Sequence, residues 1–476
     1  MSLRVAVVGG GLSGVTAAWQ LSQLGLTVKL YEASGRLGGV LETDRIAGQN
    51  GSQGFVVECG ADSWMAEKPW ARELAIELGL EQDLIASNDA IRRTYLKTQG
   101  KLVPLPDGMR MMVPTRLEVL EDSPLFPPSA RAAYAAEPGR AAELKAGALR
   151  DDQDESVAAF VRRHFGEEVT QSVARPLLAG VLGGNIDDLS VQAVMAPFVR
   201  MEREHGSLIL GLQAKPAPAG RSVFASLRGG LAQLIKAMAQ ALPAGSVALH
   251  AAVEQIERKP VEREQGGWYV TAGGRNERFD AVILAAPAPV VHRLLLPVDA
   301  EAASLVKMEA SSALIVALAY EAESAKQIKI PPGFGYLVAP EDAGPGSLLA
   351  ATFVHCKFRE RAPEGCALLR AFFGGETALS LLSAPDEELV ARAEVQLALV
   401  LGAMPKPVYS MVRRWPHSLP QYAVGHRGRM LQLEMRIKQL SGLQLTGNSY
   451  AGVGMPDVIQ DARQAARSVA ATLFAR

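Results

Sequence analysis

The chain alternates between short unbroken apolar runs and stripes of apolar residues at helical spacing. Residues 5–8 form one run, residues 15–24 place apolar side chains on one helix face, and residues 27–31 form a second run. This predicts strand, helix and strand in succession. Residues 280–287 repeat the buried-strand pattern and end in Pro287. Residues 443–446 lead through a glycine turn into a long C-terminal helical stripe. Two other blocks lie between. Asp154, Glu155 and Ser156 precede Val157, Phe160, Val161 and Phe165, a helix start followed by an apolar stripe. Residues 100–210 therefore read as mainly helical, with 121–148 as loops and short helices, either a mobile surface or part of a membrane-facing lobe. Residues 313–320, 335–338 and 367–373 are strand-like and 385–401 helical, the mixed content of a sheet-bearing domain. A Pro/Ala/Gly connector at 215–220 marks one break, and no internal repeat is evident. The interleaving predicts an α/β fold.

The first turn carries the chemistry. Gly9, Gly11 and Gly14 join the first strand to the first helix. Gly9 permits a tight turn, Gly11 lets backbone approach a pyrophosphate, and Gly14 lets helix and strand pack closely, with the helix N-terminus facing phosphate charge. Glu32 ends the second strand, where a carboxylate can accept hydrogen bonds from ribose hydroxyls. Arg36 and the pair Gly38–Gly39 follow, adding backbone donors and one fixed charge near a diphosphate. Pro456 and Asp457 fall in the first turn of the last helix, where a missing N–H costs nothing and an acid suits the dipole.

Composition narrows the field. At 476 residues the chain can hold two or three domains, and 48% apolar residues supply a large core. With 49 basic and 50 acidic residues, nothing steers nucleic acid. Cys59, Cys356 and Cys366 form no CxxC pair, as expected for reduced thiols in a cytoplasm-like compartment. Met1 sits so close to the first strand that no signal peptide is expected. No apolar run reaches the length of a spanning helix, although a monotopic membrane contact needs only an exposed apolar face. The seven histidines show no metal spacing, so no metal site is expected, and no GxSxG occurs.

Several strings together resemble the oxygen-dependent protoporphyrinogen oxidase and coproporphyrinogen III oxidase family of the FAD-dependent amine-oxidase superfamily. Arg36 with Gly38–Gly39, then Glu58 and Gly60, match the superfamily's FAD pattern. The segments 154–166, 201–211, 226–234, 333–340 and 414–426 resemble protoporphyrinogen oxidase, whereas 102–115 resembles the Gram-positive branch that acts on coproporphyrinogen III. The resemblance implies a discontinuous glutathione-reductase-like FAD-binding Rossmann domain at 1–88, 221–297 and 411–476. It also implies an α+β substrate-binding domain at 89–99, 211–220 and 298–410, and a mainly helical, membrane-associating domain at 100–210. It implies one non-covalent FAD per chain, held by Gly9, Gly11, Gly14, Glu32, Arg36, Gly38, Gly39, Val253, Trp415, Gly454, Met455 and Pro456. Val253 would meet the adenine with its backbone, Trp415 would stand against the isoalloxazine, and the last helix would direct its positive end at the N1/O2 edge.

The implied reaction converts protoporphyrinogen IX to protoporphyrin IX in haem biosynthesis, with hydride passing to flavin N5 and oxygen leaving as hydrogen peroxide. Coproporphyrinogen III is the alternative substrate. The flavin carries the chemistry, so no protein nucleophile is expected. Matching motifs nominate Arg93 as a propionate partner, with Arg92 as its alternate, and Gly180, Phe334, Gly335, Leu337 and Phe358 as chamber walls. The basic string around Lys357, Arg359 and Arg361 reads either as a solvated loop or as extra cations for a tetra-acidic substrate. Implied partners are the porphyrinogen and oxygen, with peripheral contact at the inner face of the cell membrane, a homodimer and hand-off to a chelatase left open. Two rivals share the fold. An amine or polyamine oxidase is disfavoured by 6% aromatic residues, and covalent flavin linkage near the C-terminal motif is excluded because no cysteine follows Cys366. A non-enzymatic Rab GDP-dissociation inhibitor would not need the C-terminal flavin segment.

Overall fold

The computed structural model describes residues 3–48, 54–214, 222–259 and 267–475, with 179–182 described in backbone only. The predicted connector at 215–220 lies outside the described residues. The nucleotide-type domain is built on a five-stranded parallel sheet. Its order is Val247–Ala248, Thr27–Tyr31, Arg4–Val8, Ala281–Leu284 and Leu443–Leu445. Residues 5–8 and 281–284 of the two central strands are apolar because both faces are covered. Val5, Val7, Ala281 and Ile283 face helices Leu12–Gln23 and Met455–Phe474, which pack on each other. Ala6, Val8, Val282 and Leu284 face a three-stranded antiparallel layer, Val253–Lys259, Gly267–Ala272 and Arg275–Phe279. The strand period of two thus assigns alternate residues to two separate cores.

A seven-stranded mixed sheet forms the second body. Its order is Tyr409–Pro420, Ala310–Tyr320, Ala367–Gly374, Ala350–Phe353, Gly335–Val338, Thr94–Thr98 and Lys101–Pro104. Helix Asp386–Leu401 covers it through Leu389, Ala393, Leu397 and Leu401. Two expected boundaries move as a result. Tyr409–Pro420, assigned by sequence largely to the flavin domain, is an edge strand of this sheet, paired along Ala310–Tyr320. Lys101–Pro104, assigned to the helical block, pairs with Thr94–Thr98. Ala310–Tyr320 lies far from Tyr409–Pro420 in sequence, so local pattern could not place that edge strand, whereas Lys101–Pro104 simply folds back on Thr94–Thr98 across the turn at Gln99 and Gly100.

The helical block closes around Phe126, Tyr134, Phe160 and Phe165. Ser156 caps helix Val157–Val169 by accepting from the Ala159 N–H at 3.1 Å. Within 121–148, helices Pro128–Ala136 and Ala141–Ala146 bury Tyr134 and Leu144, so this stretch is anchored to the core through those side chains while half of its residues are exposed. Gly166, at φ 80°, breaks the helix that began at Val157. A π-turn at Thr170–Ala174 then redirects the chain into helix Arg175–Leu182, which packs on strand Gly335–Val338.

Candidate active site

The glycine turn is forced by its neighbours. Gly9 adopts φ 106°, and its N–H donates to Tyr31 O at 2.8 Å. A Cβ on Gly14 would lie 1.8 Å from Gly9 O, so only glycine lets the helix approach. A Cβ on Gly11 would meet nothing within 4 Å, so the turn opens onto free space. The helix beginning at Leu12 has no side-chain cap, which leaves its first N–H groups for an anion. Glu32, expected to face a ribose, is held by the backbone. Its Oε2 accepts from Gly10 N and its Oε1 from Ser34 N, both at 2.7 Å, tying strand end to turn.

Gly38 lies against Gly11, with its N–H donating to Gly10 O at 2.8 Å, and Gly39 lies alongside. Arg36 donates to Gly39 O at 2.7 Å, pairs with Glu42 at 3.0 Å and sits 5.9 Å from the Trp415 ring centre. Trp415 Nε1 donates to Cys59 O at 2.8 Å. Gly454 opens the last helix without a side-chain cap, Met455 and Pro456 are buried, and Asp457 pairs with Lys68 at 2.6 Å. Val253 starts the antiparallel layer, and its carbonyl accepts from Arg293 at 3.0 Å. Gly9, Gly11, Gly14, Gly38 and Gly39 thus line one turn, the last helix packs on the helix that leaves it, Val253 lies in the antiparallel layer and Trp415 on the edge of the seven-stranded sheet. Two uncapped helix ends and a backbone cradle fit a dinucleotide diphosphate.

The residues named for the substrate divide. Arg92 and Arg93 are exposed at the head of strand Thr94–Thr98. Arg93 O accepts from Phe334 N at 2.8 Å, which joins Arg93 to the Phe334–Gly335 wall. Gly335 adopts φ 145°, and a Cβ there would lie 2.0 Å from Ala351 O. Leu337 leans on the helical core, and the helix that carries Gly180 packs on the same strand. Phe358 is a correction: its ring is completely buried, flanked by Lys357 and Arg361, and presents no surface to a chamber. The basic string is corrected as well. Lys357 and Arg361 are neither solvated nor poised over a substrate. Lys357 Nζ pairs with Asp62 at 3.0 Å, and Arg361 pairs with Glu58 at 2.9 Å with both side chains fully enclosed. Only Arg359 is exposed.

Sequence reasoning missed this ionic seam. Four of the five residues from the end of strand Phe55–Glu58 to Asp62 are fastened to the seven-stranded sheet or its flanks: Glu58 to Arg361, Cys59 O to Trp415, Gly60 O to Arg370, and Asp62 to Lys357 and Arg370. Glu58 also accepts from Thr43 Oγ1 at 2.7 Å and Leu231 N at 2.8 Å. Burial alone would raise the Asp62 carboxyl, but Lys357 and Arg370 outweigh it and hold it below the usual carboxylate range. Burial pushes the Glu58 carboxyl upward, opposed by Arg361 and by the hydrogen bonds from Thr43 and Leu231. The only signal in the sequence was an excess of cations in a strand-rich segment.

Among the described residues, Glu42, Asp44 and Cys59 are the one group close enough to ligate a metal together. They do not suit one. Arg413 already bridges both carboxylates at 3.0 Å, and burial pushes the Cys59 thiol up to about 12.

Residues 12–470 match the model of the flavin-containing amine oxidoreductases. The chain belongs to that family. FAD is its cofactor, and it is an FAD-dependent oxidoreductase. It is similar to the coproporphyrinogen III oxidases of Propionibacterium freudenreichii (33% identity, 98% of this chain, 90% of the relative) and Bacillus subtilis (30%, 99% and 98%). It is also similar to the protoporphyrinogen oxidase of Bos taurus (30%, 99% and 99%). A crystal structure from Exiguobacterium that bears a provisional protoporphyrinogen oxidase name superposes with TM-score 0.84, at 29% identity over 99% of both chains. Cyclohexylamine oxidase of Brevibacterium oxydans shares the fold, with TM-score 0.70 at 17% identity over the full length of both chains. For this oxidoreductase no described helix is long and apolar enough to cross a membrane.

Proposed function

We propose that this oxidoreductase oxidises a porphyrinogen to the corresponding porphyrin in haem biosynthesis. The observation that carries the reading is end-to-end similarity to relatives named for that reaction on two substrates. FAD supplies the two-electron acceptor when bound, with oxygen as final oxidant. The chain's own residues bind and orient. Arg93, or Arg92 beside it, supplies a planar cation suited to a propionate. Phe334, Gly335 and Leu337, with the Gly180 helix, form the wall that keeps a large apolar macrocycle in place. The ionic seam from Glu58 to Asp62 fixes the loop between flavin turn and substrate sheet.

Protoporphyrinogen IX and coproporphyrinogen III are both carried by named relatives. Seven curated relatives at 29–33% identity act by name on coproporphyrinogen III, which favours the tetra-acidic substrate. Peripheral contact with the inner face of a membrane, a homodimer and hand-off to a chelatase accompany this proposal as expectations from the resemblance. The test is an aerobic assay of the yellow, FAD-loaded protein on both porphyrinogens side by side, read by porphyrin fluorescence. Turnover of either, with peroxide released, supports the reading. Inactivity on both, with peroxide formed from an amine, replaces it with an amine oxidase.

A further inference from the structure

A second cleft, of about 650 Å³, lies away from the glycine rim, on the seam between the helical block and the nucleotide-type domain. Four stretches of chain meet there: 185–189 from the helical block, 288–292 from the helix after the central strand, 307–309, and 421–429. The seam is closed by backbone bonds, with Ser190 N donating to Tyr422 O at 2.7 Å and Val424 N to Asp188 O at 3.0 Å.

Arg429 lines this cleft, and its Nε and Nη2 are covered from water without any hydrogen-bond partner. Its backbone is committed, through N–H donation to Gly425 O at 3.0 Å, but no carboxylate reaches its side chain among the described residues. Arg429 is half-buried, and two of its three guanidinium nitrogens have lost water without gaining a partner, which costs free energy that an acceptor in the cleft would recover. Burial accordingly lowers its proton affinity, with no acid opposing the trend. The acids on the same cleft do not relieve it. Asp188 is engaged by the Asn185 amide at 2.8 Å, and Glu309 stands exposed. A second cation and an imidazole ring line the same space. Lys307 is exposed on the cleft with no ion pair among the described residues, and His292 lines it with Nδ1 held to Ala303 O at 2.8 Å. Ala288 and Pro289 belong to the uncapped first turn of helix Ala288–Leu295. Leu189, Met308 and Ala423 supply apolar wall.

We propose that this cleft binds an oxyanion, a phosphate or the carboxylate of a small organic acid, with Arg429 as its principal partner and Lys307 as the second. The ligand completes the hydrogen bonding of Arg429 and clasps the helical block to the nucleotide-type domain. Gln421 connects this seam to the end of the chamber helix, since its amide donates to Gly183 O at 3.4 Å and to Ser311 Oγ at 3.2 Å. The site is independent of which substrate the flavin oxidises.

The test uses the FAD-loaded protein, inorganic phosphate and benzoate as probes, and chloride at matched ionic strength as control. Calorimetric titration is expected to show saturable binding of at least one probe at one site per chain, with a melting temperature that rises and saturates in parallel. Preference for phosphate identifies a bare oxyanion site, and preference for benzoate a carboxylate with an apolar body. Arg429→Gln should weaken binding at least tenfold while FAD content and far-ultraviolet dichroism stay as in the parent. Arg429→Lys should retain part of the affinity, Lys307→Gln should lose several-fold, and Glu309→Gln should keep or improve it. If Arg429→Gln does not fold, the Lys307 and Glu309 variants, which are exposed, decide the matter by their opposite directions. Absence of saturable binding above chloride, or affinity unchanged in Arg429→Gln, overturns the proposal. None of these measurements depends on porphyrinogen turnover.

Discussion

Single residues in this chain are constrained mainly by what their neighbours leave room for. Gly14 faces the carbonyl of Gly9 so closely that even one methyl group has nowhere to go. Gly14→Ala should separate the helix from the strand and abolish FAD retention, visible as colourless protein after gel filtration. Glu32 is different, because space is not its constraint. Its two oxygens each hold a backbone N–H, and an amide can accept only one of them. Glu32→Gln should therefore weaken FAD binding by roughly tenfold or more, the loss of about 1.5–3 kcal/mol expected for one charge-assisted bond. Quenching of FAD fluorescence on titration into apoprotein measures this. An affinity unchanged in that variant would show the carboxylate to be dispensable for the turn.

At the scale of elements, buried ion pairs decide how pieces join. Arg361 and Glu58 fasten the strand before the flavin loop to the substrate side, and both are fully enclosed. Arg361→Met leaves a buried carboxylate facing an apolar chain and should cost about 3–5 kcal/mol, whereas the paired replacement Arg361→Met with Glu58→Leu should recover much of that. Chemical denaturation of the single and double variants checks it. The helical block uses a histidine between two carboxylates. His164 contacts Glu137 at 3.0 Å and Glu202 at 3.1 Å, Arg163 binds Glu202 from the other side, and Ser207 binds Glu137. Burial would lower the imidazole's proton affinity, but the two carboxylates outweigh it and raise it. A group whose folded-state value is raised contributes fully below its unfolded value, about 6.5, and loses that contribution as pH rises through the folded value. The melting-temperature gap between the parent and His164→Leu should therefore be widest near pH 6 and shrink on moving into the alkaline range. A gap that widened with pH would mean that His164 is neutral in the folded protein.

For the whole molecule, the arrangement places a glycine-lined rim and a mixed sheet on either side of one loop, with the helical block leaning on that sheet. FAD should be released by denaturation and ultrafiltration rather than remain attached, because the three cysteines, Cys59, Cys356 and Cys366, all precede the last flavin segment. A trichloroacetic acid precipitate that stayed yellow would contradict this. On the proposed reading, substrate choice is also a property of the whole molecule. With Lys357 and Arg361 committed to Asp62 and Glu58, the exposed Arg92 and Arg93 are the cations that this reading assigns to propionates. Replacing both with glutamine should raise KM on either porphyrinogen by roughly tenfold, as for loss of a charged pair, with a smaller change in kcat. Steady-state kinetics on the two substrates measures the split.

Local pattern determined a good deal. The apolar runs at 5–8 and 27–31, the glycine spacing, Glu32, and the first turn at Pro456 and Asp457 all depend on near neighbours in sequence. They fold as their periodicity and backbone freedom dictate. Trp415, expected against the flavin, could not be read from local pattern as part of the seven-stranded sheet's edge strand. What only the tertiary structure decided concerns pairs far apart in the chain. Phe358 looks like a wall and is core, and Lys357 and Arg361 look like loop charges and are buried pins. Arg429 looks like one more helix cation, yet two of its nitrogens are covered in a cleft without a partner. The reason is physical: hydrophobic period and turn chemistry are local, whereas desolvation and charge pairing depend on what arrives from elsewhere in the chain.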